Sequence, residues 1–410
     1  MKLLKVDTIE IAREKLKTAL CDSEQVTIMK KLHQACGYSL AGDIYATEPV
    51  PAFRRSTVDG YAVKADNTGG ATENAPVFLK IIGEVEMGYA AKEQLEQGQC
   101  IYVPTGGMIP EGADAMVMVE YCEQFTQDQI AIYTTVASQA GIVDIGEDMK
   151  SGQLVLKRGT TLRPQEIGAL AAIGETEILV YAPWKVTIIS TGDELISPEK
   201  IPQKGQIRDI NTYGIQAQAE KNHMEVVDCF VLKDQNGDLK EKVQQALTTS
   251  DVVVISGGSS QGKKDETHQI IDEIASEGAF THGLALKPGK PTIIGYDKPT
   301  NTILVGLPGH PAAAMMVFEL LISWIQKERT GAKVEVTTKG YLSTNLPGAP
   351  GRKTCQLVQL KRREDGAQEV VPIFGKSGMI STLTRADGYI LMEENQEGLQ
   401  KGEEVEVFFM

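Results

Sequence analysis

The amino-acid sequence predicts an α/β multidomain protein, with a central doubly wound α/β domain, two flanking β-rich domains and a helical or mixed N-terminal part. At 410 residues the chain has room for about two to four domains. After Pro183, continuous apolar runs recur, each followed by a polar loop and a helical pattern, which is typical of parallel strands buried on both faces. On either side, short apolar runs alternate with Gly and Pro, which favours β structure.

The N-terminal segment has a helical pattern. Apolar residues recur at three- and four-residue steps at Ile9, Ala12, Leu16 and Leu20, and again at Met29, Leu32 and Cys36. The spacing predicts helix over residues 8–36, with Gly37 as its stop signal. A second helix is expected over residues 164–173, with Pro164 in its first turn.

Residues 46–144 predict a β-rich domain, because the runs VFLKIIGEV, CIYVPTGG, AMVMVEYC and IAIYTTV are short and bounded by turn residues. The pattern changes near Gly146. After Gly331 short alternating runs return and end in EEVEVFF, which predicts a small terminal β domain.

The α/β region contains three apolar runs, at 186–190, 251–256 and 302–307, followed by the loops TGDEL, GGSS and PGHP. A long apolar helix continues from the last loop to Ile325. Ligands bind doubly wound sheets at the carboxyl ends of the strands. We therefore expect these loops to share one ligand site.

Charge and composition exclude several classes of function. The chain carries 41 Lys+Arg and 55 Asp+Glu, a formal net charge of −14, which argues against general nucleic-acid binding but allows a local phosphate site. The N-terminus is charged too early for a signal peptide, and the apolar stretch 311–325 is short and interrupted by Glu319. The six cysteines form no C-x-x-C pair. We expect a cytoplasmic protein with reduced thiols and no membrane partner.

Two loops of the α/β region offer oxygen ligands and a phosphate cradle. Asp193 and Glu194 either cap a helix or hold Mg²⁺, which prefers oxygen ligands. SGGSSQGKKDET, which begins at Ser256, is either a phosphate cradle before a helix or a flexible turn. Asp265 follows near the same mouth.

Two further loops offer cations. Lys287 and Lys290 flank a Pro-Gly turn and either neutralise a polyanion or are solvated surface. In GLPGHP, His310 either donates to a phosphate or is an ordinary loop histidine. Together with the carboxylates, these loops predict a magnesium-dependent site for a phosphorylated ligand.

The β-rich domain has two candidate loops. Asp59 stands before Gly60 and after Arg54 and Arg55; it either has a functional role or simply forms a turn. Thr105 precedes two glycines whose backbone N–H groups can approach an anion. A plain strand-to-strand loop is the alternative.

Seven motifs carry a family resemblance: STVDGYA, PTGGMIPEGADAMVMVE, IGEDMKSG, STGDEL, SGGSSQGKKDET, LKPGKP and GLPGHP. In this order and spacing the sequence resembles the molybdopterin molybdenumtransferase family over essentially its whole length. The resemblance implies an enzyme that takes adenylated molybdopterin and molybdate, inserts molybdenum at the dithiolene sulfurs and releases AMP with Mg²⁺. It also implies a homodimer that receives its substrate from a molybdopterin adenylyltransferase.

The resemblance also implies an elongated four-part subunit. The expected domains are an elongated N-terminal linker domain (1–45 plus 145–180), a β-rich domain (46–144), a molybdopterin-binding α/β domain (181–330) and a β-barrel-like C-terminal domain (331–410). The active cleft is expected to combine the α/β part of one subunit with the Asp59 domain of the other.

Transferred motif by motif, the resemblance implies three sets of site residues. The expected catalytic carboxylates are Asp59, Asp148, Glu194, Asp234 and Asp265. The expected Mg²⁺ ligands are Asp193, Glu194 and Asp265. The expected substrate-binding residues are Thr105, Ser256, Gly257, Gly258, Ser259, Lys287, Lys290, Pro308, Gly309, His310, Arg352 and Ser377, of which Lys287, Arg352 and Ser377 are expected near the molybdate.

Three positions depart from the family pattern. Ser259 replaces the valine of SGGVS, and His310 replaces the asparagine of GLPGN. Gly283 stands four residues before Lys287, where many members have a basic residue.

Two other functions stay open at this point: a non-catalytic molybdopterin-binding scaffold dimer, and a hydrolase of a nucleotide derivative.

Overall fold

The computed structural model describes residues 6–234, 238–257, 266–332 and 337–410. Its α-helices are Ile9–Ala19, Pro164–Ala172, Asn211–Lys221, Leu239–Leu247, Glu266–Ile274, Pro311–Val317, Trp324–Thr330 and Ile380–Leu383. The π-helical segment Phe318–Ser323 joins the helices before and after it into one long helix, which agrees with the apolar helix expected there. Short 3₁₀ turns lie at Leu32–Gln34, Ala65–Thr68 and Val119–Tyr121.

The prediction of helix over residues 8–36 is wrong in its second half. The helix ends at Ala19, and Thr27–Lys31 is a strand that pairs antiparallel with Glu177–Tyr181. Met29 and Cys36 are exposed, so their three- and four-residue spacing reflects no buried helical face. The partner strand, 146 or more residues later in the chain, supplies the backbone hydrogen bonds that a local pattern does not reveal.

Helix Ile9–Ala19 packs into the core of the α/β domain rather than against the strand that follows it. Ile9, Ala12 and Leu16 are buried in the same cluster as Phe318. The remaining N-terminal residues form a separate core with residues 154–180, which includes Ala35, Leu40, Leu162, Leu170 and Val180. Two short strands also join these segments, because Ile44–Tyr45 pairs with Leu154–Leu156.

The β-rich domain is built on a six-stranded sheet with apolar residues on both faces. In spatial order its strands are Ala115–Met118, Gly60–Val63, Gln99–Val103, Val77–Glu84, Gln129–Ile132 and Cys122–Gln124. Arg55–Ser56 pairs with Ile142–Val143 beside it.

The α/β domain has a six-stranded sheet in the order Glu225–Leu232, Lys185–Thr191, Val252–Gly257, Thr302–Leu307, Ile293–Asp297 and Ala279–His282. The first four strands are parallel, and the last two are joined antiparallel. Successive residues of one strand enter opposite cores: Val252 and Val254 face the helices Asn211–Lys221 and Pro311–Val317, whereas Val253 and Ile255 face Leu239–Leu247 and Glu266–Ile274. The sheet is therefore doubly wound, as the sequence predicted.

The C-terminal domain is a closed five-stranded barrel. Its strands are Thr337–Leu342, Lys353–Arg362, Gln368–Pro372, Gly388–Met392 and Glu404–Phe409, and the ring closes because Lys353–Arg362 also pairs with Gly388–Met392. Beside the barrel strands, Leu346–Pro347 pairs antiparallel with Gly398–Leu399. Outside the barrel, Leu195–Ile196 pairs parallel with Ile207–Arg208. The two-residue strand Leu286–Lys287 crosses from the α/β domain and pairs with the barrel.

Candidate active site

The polar loops of the α/β domain lie in a row along one edge of its sheet. Asp234 follows the outer strand, Asp193 and Glu194 follow the next, Ser256 ends the third, and His310 follows the fourth. Neighbouring strands are about 4.8 Å apart, so this row spans roughly 15 Å. The row has carboxylates at one end, and at the other end His310 lies at a cavity lined by Lys287 and Lys376.

The acidic end is a hydrogen-bonded junction between two strand ends. The backbone N–H of Asp234 donates to Oδ1 of Asp193 at 3.1 Å. Lys233 Nζ donates to the carbonyl oxygens of Asp193 (2.7 Å) and Leu195 (2.8 Å). Glu194 is exposed, and its carboxylate folds back over Gly192. The junction thus holds two neighbouring acidic side chains at a fixed place on the sheet edge.

Asp193 and Glu194 fit Mg²⁺ by donor chemistry, since both offer carboxylate oxygens at a solvent-accessible strand end. The third expected ligand, Asp265, lies outside the described residues. Within the described ranges, no group of three or more His, Cys, Asp or Glu side chains is placed to hold a metal ion. Gly258 and Ser259 also lie outside the described residues.

The middle of the row is organised by Asn211, which the sequence analysis missed. Its Nδ2 donates to Ser256 Oγ at 2.7 Å and to the Gly309 carbonyl at 2.9 Å, so one amide ties two loops together. Its buried Oδ1 has no hydrogen-bond partner among the described residues. The only sequence signal was an asparagine at a helix start, which helix capping explains equally well.

Position 257 requires glycine because the backbone of the neighbouring strand lies very close to it. Its φ is +122°, and a Cβ there would lie 2.1 Å from the carbonyl oxygen of Thr191, its partner on the neighbouring strand. A side chain at this position would push the third strand end away from the second.

The cationic end is a cavity of about 530 Å³ between the α/β domain and the barrel. Lys287, His310, Lys376 and Ser377 line it together with Thr354, Cys355, Gln356, Thr382 and apolar side chains, and among the described lining residues there is no Asp or Glu. In a chain of net charge −14, a cavity lined by lysines without carboxylates favours an anionic ligand. Burial raises the pKa of Cys355, so this residue stays a neutral thiol.

Of the predicted basic residues Lys287, Lys290 and Arg352, the structure places only Lys287 in the cavity lining. Lys287 lines the cavity because Leu286–Lys287 pairs with Lys353 and Thr354 of the barrel. Lys290 and Arg352 are exposed and lie outside the lining. Lys376, which was not predicted, is a lining residue; its only sequence signal was its place beside Ser377.

His310 and Ser377 join the two domains at the cavity wall. His310 Nδ1 and Ser377 Oγ are 2.8 Å apart, and the backbone N–H of Ala312 donates to the Ser377 carbonyl at 3.1 Å. Pro308 and Gly309 form the turn that places His310, with Pro308 buried.

Gly283, one of the departures from the family pattern, has a backbone role. Its φ is +101°, its carbonyl accepts the N–H of Asp7 at 3.0 Å, and a Cβ there would lie 3.0 Å from Val6. The position is buried, so it holds the N-terminal segment rather than an anion.

In the β-rich domain, Asp59 and Thr105 meet. The Thr105 N–H donates to Asp59 Oδ1 at 2.7 Å. Arg54 is bound elsewhere: its guanidinium donates to the Ala113 carbonyl at 3.0 Å and pairs with Asp144 at 3.3 Å. The exposed Asp59 carboxylate is therefore held by a backbone donor and not by Arg54.

Asp148 is exposed, and its backbone N–H donates to the Val50 carbonyl at 3.1 Å. In the described part of the chain, the hydrogen bonds that residues 46–144 make beyond themselves go to residues 145–153. The contacts within one chain thus bring Asp59 and Thr105 together but do not join them to the α/β sheet edge.

Comparison with known proteins agrees with this architecture. Three family models match: "MoeA N-terminal region (domain I and II)" over residues 7–174, "Probable molybdopterin binding domain" over 187–327, and "MoeA C-terminal region (domain IV)" over 339–410. A molybdopterin molybdenumtransferase of Haemophilus influenzae is 30% identical, covering 98% of both chains. A crystal structure of a molybdopterin biosynthesis MoeA protein from Pyrococcus horikoshii is 32% identical with a TM-score of 0.84, covering 99% of this chain and 100% of that one.

The three matched family models, which follow one another along the chain, place it in the class of molybdenum cofactor biosynthesis proteins. More specifically, the chain belongs to the molybdopterin molybdenumtransferase family and is an enzyme of molybdenum cofactor biosynthesis. The family resemblance found in the motifs is thereby confirmed. Across the described residues, no helix is both long and apolar enough to span a bilayer.

Proposed function

We propose that this enzyme inserts molybdenum from molybdate into adenylated molybdopterin, with Mg²⁺-dependent release of AMP. The observation that carries the proposal is the polarity of the sheet edge, with carboxylates at one end and, at the other, a cationic cavity whose described lining residues include no carboxylate. An adenylated pterin extends over many ångströms and needs a metal at its pyrophosphate, while the oxyanion needs cations. The carboxylates at one end of the row would hold the metal ion, and the cations at the other end would hold the oxyanion.

At the acidic end, Asp193 and Glu194 would hold Mg²⁺, together with Asp265. When bound, the ion neutralises pyrophosphate charge and stabilises the AMP that leaves. The Asp234 N–H and Lys233 keep Asp193 in position. Ser256 is buried, and Asn211 ties it to Gly309. The backbone at Gly257 would offer an N–H donor to the phosphates.

At the cationic end, Lys287 and Lys376 would bind molybdate by charge-assisted hydrogen bonds, with Ser377 as a neutral donor. Arg352 is exposed near the start of the neighbouring barrel strand. It would contribute by reaching toward the anion from the cavity rim.

We further propose that Asp59, Thr105 and Asp148 act from the second subunit of a homodimer, because the contacts within one chain leave them apart from the sheet edge. Asp59 would position or deprotonate a water at the pyrophosphate, with its Oδ1 held by the Thr105 N–H and its second oxygen available. A molybdopterin adenylyltransferase would supply the substrate.

The test is AMP release from adenylated molybdopterin with Mg²⁺, measured with and without molybdate. Molybdate-dependent release supports the proposal. Tight binding without release would favour a scaffold instead, and hydrolysis of simple nucleotides that ignores molybdate would favour a hydrolase.

A further inference from the structure

We propose that the cavity between the α/β domain and the barrel binds the pterin ring of the substrate beside the oxyanion, with the exposed ring of Phe374 stacked on the pterin. The inference rests on the proposed function, because it divides the same cavity into an oxyanion part and a heteroaromatic part. It assigns a role to Phe374, a residue that the sequence analysis did not single out.

The cavity is larger than an oxyanion requires. Its volume is about 530 Å³. A tetrahedral oxyanion has five heavy atoms and takes on the order of 100 Å³, since one water in the liquid takes roughly 30 Å³. Protein cavities of about 300–1,000 Å³ ordinarily hold small organic ligands. The space beside the anion is therefore large enough for a fused two-ring heterocycle.

Much of the cavity lining is apolar and suits such a ring. Met316, Leu346 and Leu357 contribute side chains that are buried, whereas the ring of Phe374 is 59% exposed. Sites for small organic ligands combine an apolar and aromatic lining with a few polar groups. An exposed phenyl ring above a buried apolar floor offers a flat face on which a heteroaromatic ring can stack.

The backbone that carries Phe374 is held on both sides. Before it, the Ile373 carbonyl accepts a hydrogen bond from Gln356 Nε2 at 2.6 Å. After it, Gly375 packs so closely on the following helix that a Cβ there would lie 2.5 Å from Cγ2 of Thr382. A backbone that is already ordered loses little conformational entropy when a ligand stacks on its side chain.

The same short segment carries the groups proposed for the oxyanion. Phe374 stands two residues before Lys376 and three before Ser377, and all three line the cavity. In molybdopterin the dithiolene sulfurs belong to a ring fused to the pterin, so insertion of molybdenum at these sulfurs needs the pterin close to the oxyanion. The phosphate end of the substrate would then extend along the sheet edge toward Asp193 and Glu194.

The test is isothermal titration calorimetry of the whole protein with pterin itself, with and without molybdate, and with AMP as a second planar probe. The wild-type protein is expected to bind pterin in both conditions, because the cavity has room for both ligands. Phe374→Ala should weaken pterin binding about tenfold or more, the loss expected for one stacked ring. Its affinities for molybdate and for AMP should stay unchanged.

Two further variants separate the flat ring from a general effect on the barrel. Phe374→Tyr keeps the ring and should bind pterin with nearly the wild-type affinity. Tyr341→Ala removes an exposed ring from the barrel strand Thr337–Leu342, outside the cavity lining, and is the matched control that should be silent. In turnover, Phe374→Ala should raise KM for adenylated molybdopterin and change kcat little, as expected for a residue that only binds the substrate.

Unchanged pterin affinity in Phe374→Ala, or a loss of AMP affinity in its place, would overturn the inference. Competition between pterin and molybdate, or no binding of millimolar pterin by the wild-type protein, would overturn it as well. A change of oligomeric state in Phe374→Ala, measured by sedimentation, would assign the ring to a subunit contact instead. AMP release by the wild-type protein decides the proposed function separately, because pterin binding is measured without turnover.

Discussion

The backbone N–H of Thr105 donates a 2.7 Å hydrogen bond to Oδ1 of Asp59, two residues that stand 46 positions apart in the chain. The Asp59 side chain is otherwise exposed, and Arg54 is occupied by Asp144. A carboxylate held by one neutral donor keeps an oxygen available for a water or a substrate.

Asp59→Asn should therefore abolish turnover without disturbing the fold. The asparagine carbonyl can accept the same N–H from Thr105, but the amide has no basic oxygen and no charge. A loss of about 100-fold or more in AMP release is expected for a group acting as a general base. Asp66→Asn, an exposed change in the same domain, is the control and should be silent. Normal turnover in Asp59→Asn would contradict the assigned role.

Lys287→Gln and Lys290→Gln form a matched pair that tests which lysine meets the anion. Lys287 lines the cavity and Lys290 does not, although both were predicted from the same turn. Lys287→Gln should weaken molybdate binding about tenfold, the loss of one charge-assisted hydrogen bond. Lys290→Gln should change it little at moderate ionic strength. Equal effects, measured by calorimetry, would mean that the cavity is not the anion site.

Gly257→Ala should destabilise the protein more than a glycine-to-alanine substitution at a position where the added Cβ meets no other atom. A Cβ at 257 meets the Thr191 carbonyl at 2.1 Å, and the backbone is also strained at φ +122°. At Gly205, φ is +91° and an added Cβ would meet no atom within 4 Å. Gly205→Ala therefore introduces backbone strain without a steric clash, at a cost of order 1–3 kcal/mol.

Urea unfolding should therefore rank the wild type above Gly205→Ala and Gly205→Ala above Gly257→Ala. Equal stability of the two variants would show that the strand ends at 191 and 257 can separate freely.

Lys353 ties the N-terminal helix to the barrel, through ion pairs with Glu10 and with Glu393 at 3.0 Å. Partial burial opposes ionisation of Glu10, but the hydrogen bond and charge of Lys353 hold the pKa of this carboxyl below its ordinary value. Its contribution to stability is thus present above the ordinary carboxyl range and is lost as pH falls through the lowered pKa.

Lys353→Met keeps most of the apolar stem and removes the charge, so it should cost about 1 kcal/mol at pH 7. The difference from wild type should shrink as Glu10 becomes protonated in acid. Urea unfolding at pH 7 and near pH 3 checks this; a difference that grows in acid would contradict the assigned ion pairs.

Much of the site was accessible from local sequence. Asp193 and His310 follow apolar strands, and Ser256 lies near the end of another. Parallel strands place such positions at one edge of the sheet, whatever the rest of the chain does. The residues missed there, Asn211 and Lys376, carry only weak local signals, because the first resembles a helix cap and the second resembles a surface lysine. Their roles come from partners contributed by other loops.

The sequence by itself determined the fold class, because apolar periodicity and turn residues act over a few positions of the chain, and its seven motifs in order identified the family. Only the tertiary structure decided where the first helix ends, which lysine of the Pro-Gly turn faces the cavity, and that His310 meets Ser377, 67 residues later. These depend on how separate domains pack. Residues distant in sequence meet only when strand pairing and burial bring their elements together, and no local pattern encodes that distance.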